Sequence, residues 1–137
     1  MGQALEPVCE PNLRDYWAPE VIEHQGTFYL YYAGDQQMRV AIADNPLGPF
    51  RDCGVRLFPE EPFSIDGHPF WDPVGEQWYL FFAKDFFDQR VGTGLAAAAL
   101  GKNMISTEGP VRTILRPFAD WQIYQRIAHE YSGWPAT

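Results

Sequence analysis

Tyr79-Leu80-Phe81-Phe82 repeats Tyr29-Leu30-Tyr31-Tyr32 fifty residues later, and that repetition decides the fold. Nearly continuous apolar runs of this length suit strands buried on both faces. Before the first run, Tyr16 to Ile22 and the turn Gln25-Gly26-Thr27 make a hairpin with Phe28 to Ala33. After it, Met38 to Ala43 reads as a third strand and Val55 to Phe58 as a short fourth, closed by Pro59 and Pro62. The pattern then restarts. Pro19 returns as Pro69 at the same offset, Val40 to Ala43 as Gly94 to Ala98, Gly48-Pro49 as Gly109-Pro110, and Val55 to Phe58 as Arg112 to Leu115. The later offsets grow because the second copy carries a longer loop, Lys84 to Thr93. Four strands per unit at this period is the mark of β-propeller blades, whereas a sandwich gives short strands without the internal copy. The expectation is an all-β fold in one propeller-like domain over 1–137, with blades at 16–62 and 63–117 and the lead-in to a partial third at 118–137. Leu95 to Leu100 has high helix propensity, yet it sits where the third strand of the second unit belongs and is read as strand.

Composition narrows the function. At 137 residues the chain supports one core. A formal charge of −8 leaves no basic face for phosphates, which argues against nucleic acid but not against a neutral sugar. No apolar run reaches membrane-spanning length, so no membrane partner is expected. Met1 to Val8 has no basic region ahead of an apolar stretch, and the expected location is cytoplasmic. Cys9 and Cys53 could pair or stay reduced. Neither they nor His24, His68 and His129 have a metal-ligand spacing, so no cofactor and no metal are expected.

Asp66 stands ahead of the second apolar run, in Ser64-Ile65-Asp66-Gly67-His68-Pro69-Phe70-Trp71-Asp72. On spacing alone it reads as a turn former, with Gly67 supplying an awkward backbone angle. A carboxylate there is also held by a rigid sheet while free to face a cleft.

Trp17-Ala18-Pro19-Glu20-Val21, the run Gly26 to Tyr32, Val40 to Ala43 with Asn45-Pro46-Leu47-Gly48-Pro49-Phe50, Ile65-Asp66 before Phe70-Trp71-Asp72, and Val91 to Leu95 together resemble glycoside hydrolase family 43. The resemblance covers nearly the whole chain. It implies a five-bladed propeller that hydrolyses arabinose- and xylose-containing glycans with inversion; related fructan- and sucrose-cleaving propellers share the architecture. Inversion needs a base to deprotonate water and an acid to protonate the leaving oxygen. The resemblance adds a further Asp that raises the acid's pKa and orients it, and Asp66 matches that position. The family's base lies upstream of Trp-Ala-Pro, and Asp15 is too close to that motif to fill the role. Its acid is a Glu on the blade after the modulating Asp. Glu108-Gly109-Pro110 resembles such a setting, so Glu108 joins Asp66 as a catalytic candidate, although its place before the outer strand suggests a turn. Glu130, in a loop, is a second candidate. Some family members hold a calcium or sodium ion on the propeller axis, but no ligands for it are identifiable.

Two blades cannot close a ring, and their flanks would expose edges and apolar sides. Self-association into a homo-oligomer would cover them, two copies of about two and a half blades making five. Three readings follow: a glycosidase acting on oligo- or polysaccharide, a sugar-binding module that stacks sugars on Trp17 and Trp71, or a folding unit without activity. Both Trp residues could instead simply fill the core.

Overall fold

The computed structural model describes residues 4–6 and 12–122. Eight strands follow in order: β1 (Trp17–His24), β2 (Thr27–Gly34), β3 (Gln37–Ala43), β4 (Arg51–Arg56), β5 (Ser64–Asp72), β6 (Gln77–Phe86), β7 (Gly92–Leu100) and β8 (Thr107–Leu115). They form two antiparallel four-stranded sheets, β1-β2-β3-β4 and β5-β6-β7-β8. These are two blades of a propeller, and the alanine-rich run is strand, as its place in the repeat required. Cys9, His129, Glu130 and most of the expected lead-in at 118–137 lie outside the described residues, as does any pairing of Cys9 with Cys53.

Register makes the repeat quantitative and corrects part of it. Tyr31 pairs with Glu20 and Val40; Phe81 pairs with His68 and Ala97. The two central strands therefore keep the offset of fifty, but Glu20 corresponds to His68 and Val40 to Ala97. Pro19 and Pro69 are not equivalent, because the turn from β5 to β6 is two residues longer than the Gln25-Gly26 turn. Pro19 instead matches Gly67. Likewise Val40–Ala43 matches Ala97–Leu100, not the residues from Gly94 to Ala98, since the alanine run offers no side-chain landmark. The outer strands also begin earlier than expected, at Arg51 and Thr107, which places Leu57 and Phe58 beyond β4 and Glu108 inside β8 rather than in a turn.

The main core lies between the blades. Tyr31, Met38, Val40, Leu57 and Phe58 of the first bury against Leu80, Phe82, Ala96, Ala98, Leu100 and Met104 of the second. Phe58 stacks on Phe82 with ring centroids 3.9 Å apart. The period of two puts Leu80 and Phe82 on this face of β6 and turns Tyr79 and Phe81 to the other. Two polar groups caught in the interface are satisfied across it: the Tyr31 hydroxyl donates to the Met104 carbonyl at 2.7 Å, and Thr107 Oγ1 to the Leu57 carbonyl at 3.1 Å. The opposite face of the first blade buries Leu30, Tyr32, Ala41, Ala43 and Phe50 under Leu5 and Leu13 of the N-terminal segment. On that side Arg39 and Asp52 form a fully buried ion pair, and the Tyr32 hydroxyl donates to Asp52.

Candidate active site where the inner strands begin

The backbones of the blades approach each other through β5, which lies against β1, β2 and β3. β1 and β5 are thus the inner strands, and His68 Nδ1 on one sits 2.8 Å from Glu20 Oε1 on the other. The start of β5 is stitched to the first blade. Ser64 is fully buried; its amide donates to the Gln36 carbonyl at 2.9 Å, and its hydroxyl accepts from the Met38 amide at 3.0 Å. Gly67 allows this approach, since a Cβ there would fall 2.3 Å from Met38 Cε.

Asp66 sits two residues past that anchor, in a β-bulge where Asp66 and Gly67 together oppose Phe82. Its φ is +55°, in the left-handed region that non-glycine residues rarely occupy. The first blade has the same bulge: Ala18 and Pro19 oppose Tyr32, and Ala18 has a φ of +42°. Each inner strand is therefore bent at the same point, with a strained residue presented there. Asp66 is exposed, and among the described residues none hydrogen-bonds its carboxylate. Trp17, also exposed, begins β1 at the same end.

Glu108 and Trp71 do not join them. β8 begins at the end where β7 finishes, so Glu108 pairs with Ala99, far down the sheet from the Ile65–Ala83 pair beside Asp66. Glu108 lines a concavity of about 630 Å³ with Phe70, Tyr79, Phe81 and Arg112, on the flank of the second blade that the described residues leave open. Trp71 pairs with Trp78 near the same far end, its ring 5.5 Å from the Trp78 ring. Within a single copy the strand directions thus keep the candidate Glu108 apart from Asp66, and Trp71 apart from Trp17.

The sequence reading missed Asp85, at the Asp66 end of β6. It is buried; Thr93 Oγ1 donates to its Oδ1 at 2.5 Å, and its Oδ2 has no partner among the described residues. Burial pushes its pKa up, and the Thr93 hydrogen bond opposes that only in part. The signal was a carboxylate beside Lys84 at the end of a mainly apolar strand, visible as unusual only once β6 and β7 pair. No three His, Cys, Asp or Glu among the described residues converge on a point that could hold a metal ion, so these residues offer no ligand set for an axial cation.

With this geometry in hand, comparison with known proteins is decisive for the family. Residues 4–130 match the family described as glycosyl hydrolases family 43. The chain belongs to that family. It is 31% identical over 108 residues to a probable arabinan endo-1,5-alpha-L-arabinosidase C of Aspergillus clavatus, covering 69% of this chain and 32% of that protein. A crystal structure of a thermostable family-43 glycoside hydrolase superposes with a TM-score of 0.73 at 27% identity, over 88% of this chain and 42% of the other. An endo-1,4-beta-xylanase from Bacteroides thetaiotaomicron gives 0.72 at 27% identity, over 90% and 42%. The chain thus spans about a third of the curated relative and two fifths of the solved ones.

Proposed function

We propose that this chain supplies two blades of a glycoside hydrolase acting on arabinose- and xylose-containing polysaccharides, with Asp66 as the supporting carboxylate of the site. The observation that carries the reading is the Asp66 bulge: a carboxylate in a strained backbone conformation, exposed, on a strand anchored by buried hydrogen bonds. Strain kept in a rigid setting points to a site. A fixed negative charge there would make ionisation of a neighbouring acid costly, keeping that acid protonated for the leaving oxygen. Trp17, at the same end, offers an apolar ring to a sugar face. Within one copy strand direction separates Glu108 from Asp66, so Glu108 serves as the acid where a second copy brings it to Asp66.

Release of nitrophenol from aryl arabinofuranosides and xylosides tests this reading. The chain should show turnover that Asp66→Asn lowers by roughly 10²-fold or more, the scale of a lost acid–base contribution. A second reading, a sugar-binding module without catalysis, is favoured by the exposed Trp17 ring at this end. Calorimetric binding without turnover would select it.

We also propose that the open flank of the second blade is covered by a second copy. Phe70, Tyr79 and Phe81 hold the register positions that the first blade buries, which supports an apolar partner there. Sedimentation should give a dimer, and Phe81→Asp should give a monomer; a wild-type monomer would remove the idea.

A further inference from the structure

The connection from β6 to β7 lies at the Asp66 end of the second blade, and it differs from its counterpart in the first. There β2 turns into β3 through Asp35-Gln36 alone; here Phe87-Asp88-Gln89-Arg90-Val91 projects beyond the sheet. Insertions of this kind are usually mobile. This one is clamped. Arg116 donates from Nη1 and Nη2 to the two Asp88 carboxylate oxygens at 3.0 and 2.7 Å, and from Nη2 to the Arg90 carbonyl at 3.1 Å. The Arg90 amide donates to Asp88 Oδ1 at 3.0 Å. The guanidinium lies 4.3 Å from the centre of the Phe86 ring. Gly94 leaves room for that ring, since a Cβ would meet it at 2.8 Å and the Leu115 carbonyl at 2.2 Å. Asp85 and Thr93 close the base of the loop by their side-chain hydrogen bond.

The outcome is a rigid projection whose exposed apolar members are Phe87 and Val91, set among Asp88, Gln89 and Arg90. That mixture suits a sugar, which has an apolar C–H face and a polar rim, and a preformed loop gives up little entropy when one binds. The position also fits. β6 passes the Asp66 bulge at Phe82 and Ala83, and the loop leaves the strand a few residues later.

We propose that this loop is the lip of the candidate site, and that Phe87 stacks on a sugar unit flanking the one that Asp66 addresses. The inference rests on the carbohydrate reading of that site. It makes the loop a determinant of how long a stretch of polysaccharide the site holds, while Asp66 serves the unit at its centre.

Titration calorimetry of the 137-residue chain with linear α-1,5-arabino-oligosaccharides of two to six units tests it. Phe87→Ala should weaken binding of the five- and six-unit ligands about tenfold, the scale of one lost aromatic contact, and leave the two-unit ligand nearly unchanged. Phe87→Trp should restore binding. Phe87→Leu, which keeps the apolar bulk without a ring face, should behave as Ala does and covers the case in which Ala disturbs the loop. If Ala and Leu variants with wild-type melting bind the six-unit ligand as tightly as the parent, the lip is wrong while the carbohydrate site stands. If the parent binds none of these ligands, both fall together.

Discussion

On the first blade, Ile22, Tyr29, Tyr31 and Val40 lie beneath the second blade; on the second, their register partners Phe70, Tyr79, Phe81 and Ala97 line an open groove. The chain at the end of each outer strand repeats the contrast. Leu57 and Phe58 are each 3% exposed, whereas Ile114 and Leu115, which end β8, are 49% and 65% exposed. The two faces carry the same kind of side chain, so the difference is one of neighbours. A blade's apolar pattern specifies two partners, one on each flank, and among the described residues only the first blade has both: the N-terminal segment on one side and the second blade on the other. The opposite flanks differ in chemistry as well. Where the first blade holds the buried Arg39–Asp52 pair, the second has Ala96 at the position of Arg39, which lets the blades close on one another.

The sharpest break of this comparison uses two adjacent residues of β6. Phe82→Ala opens a cavity against Phe58 and should cost about 3–5 kcal/mol in urea unfolding. Phe81→Ala, on the open flank, should cost about 1 kcal/mol or less in dilute monomer, where little buried area is lost, and more at concentrations where the second copy covers it. Equal losses would mean that the flank is covered in solution. Asp52→Ala tests the opposite flank. It strands a buried guanidinium, and the expected loss is about 3–5 kcal/mol by the same measurement. Replacement of Ala96 by Gly in the second blade should fall well short of that, roughly 1 kcal/mol, because no charge is uncovered there.

Asp85 gives a pH dependence. Its folded-state pKa is raised by burial, so the fold favours the protonated form. Its contribution is fully present below the ordinary carboxyl range and is lost as pH rises through the raised folded value. Asp85→Asn should therefore stabilise the chain at neutral pH and reduce the decline in melting temperature above that range. Asp88 behaves oppositely. Hydrogen bonds from Arg116 hold its pKa down to about 2, so the loop clamp should persist in mild acid and fail only as pH falls towards that value.

Much of this was legible in the residues. The repeated Tyr-Leu-aromatic-aromatic run located β2 and β6, and the turns around them implied the remaining strands. What the sequence concealed was local. Two extra residues between β5 and β6 broke the apparent match of Pro19 with Pro69, and four consecutive alanines within Leu95–Leu100 hid the register of β7. The candidate site shows the same division. Asp66 could be picked out by its motif, but its bulge could not, because the left-handed residue is Asp66 itself and the glycine follows it. The separation of Glu108 from Asp66 depends on strand direction along four antiparallel strands, which single motifs do not carry.

The two bulges allow the finest comparison, since one backbone conformation is occupied by Ala18 in the first blade and by Asp66 in the second. Left-handed backbone costs an alanine about 1–2 kcal/mol, while an aspartate tolerates it better. Glycine removes that cost but loses about 0.5–1 kcal/mol of chain entropy on folding. Ala18→Gly should therefore stabilise the chain by about 0.5 kcal/mol, read as a small rise in melting temperature. Asp66→Gly should leave stability unchanged or slightly higher while removing the carboxylate. If both substitutions behave so, the bulge is a property of the inner strand and the carboxylate is dispensable to folding, which leaves function as the reason for an aspartate there. A marked loss of stability for Asp66→Gly would instead make Asp66 a structural residue and withdraw the site built around it.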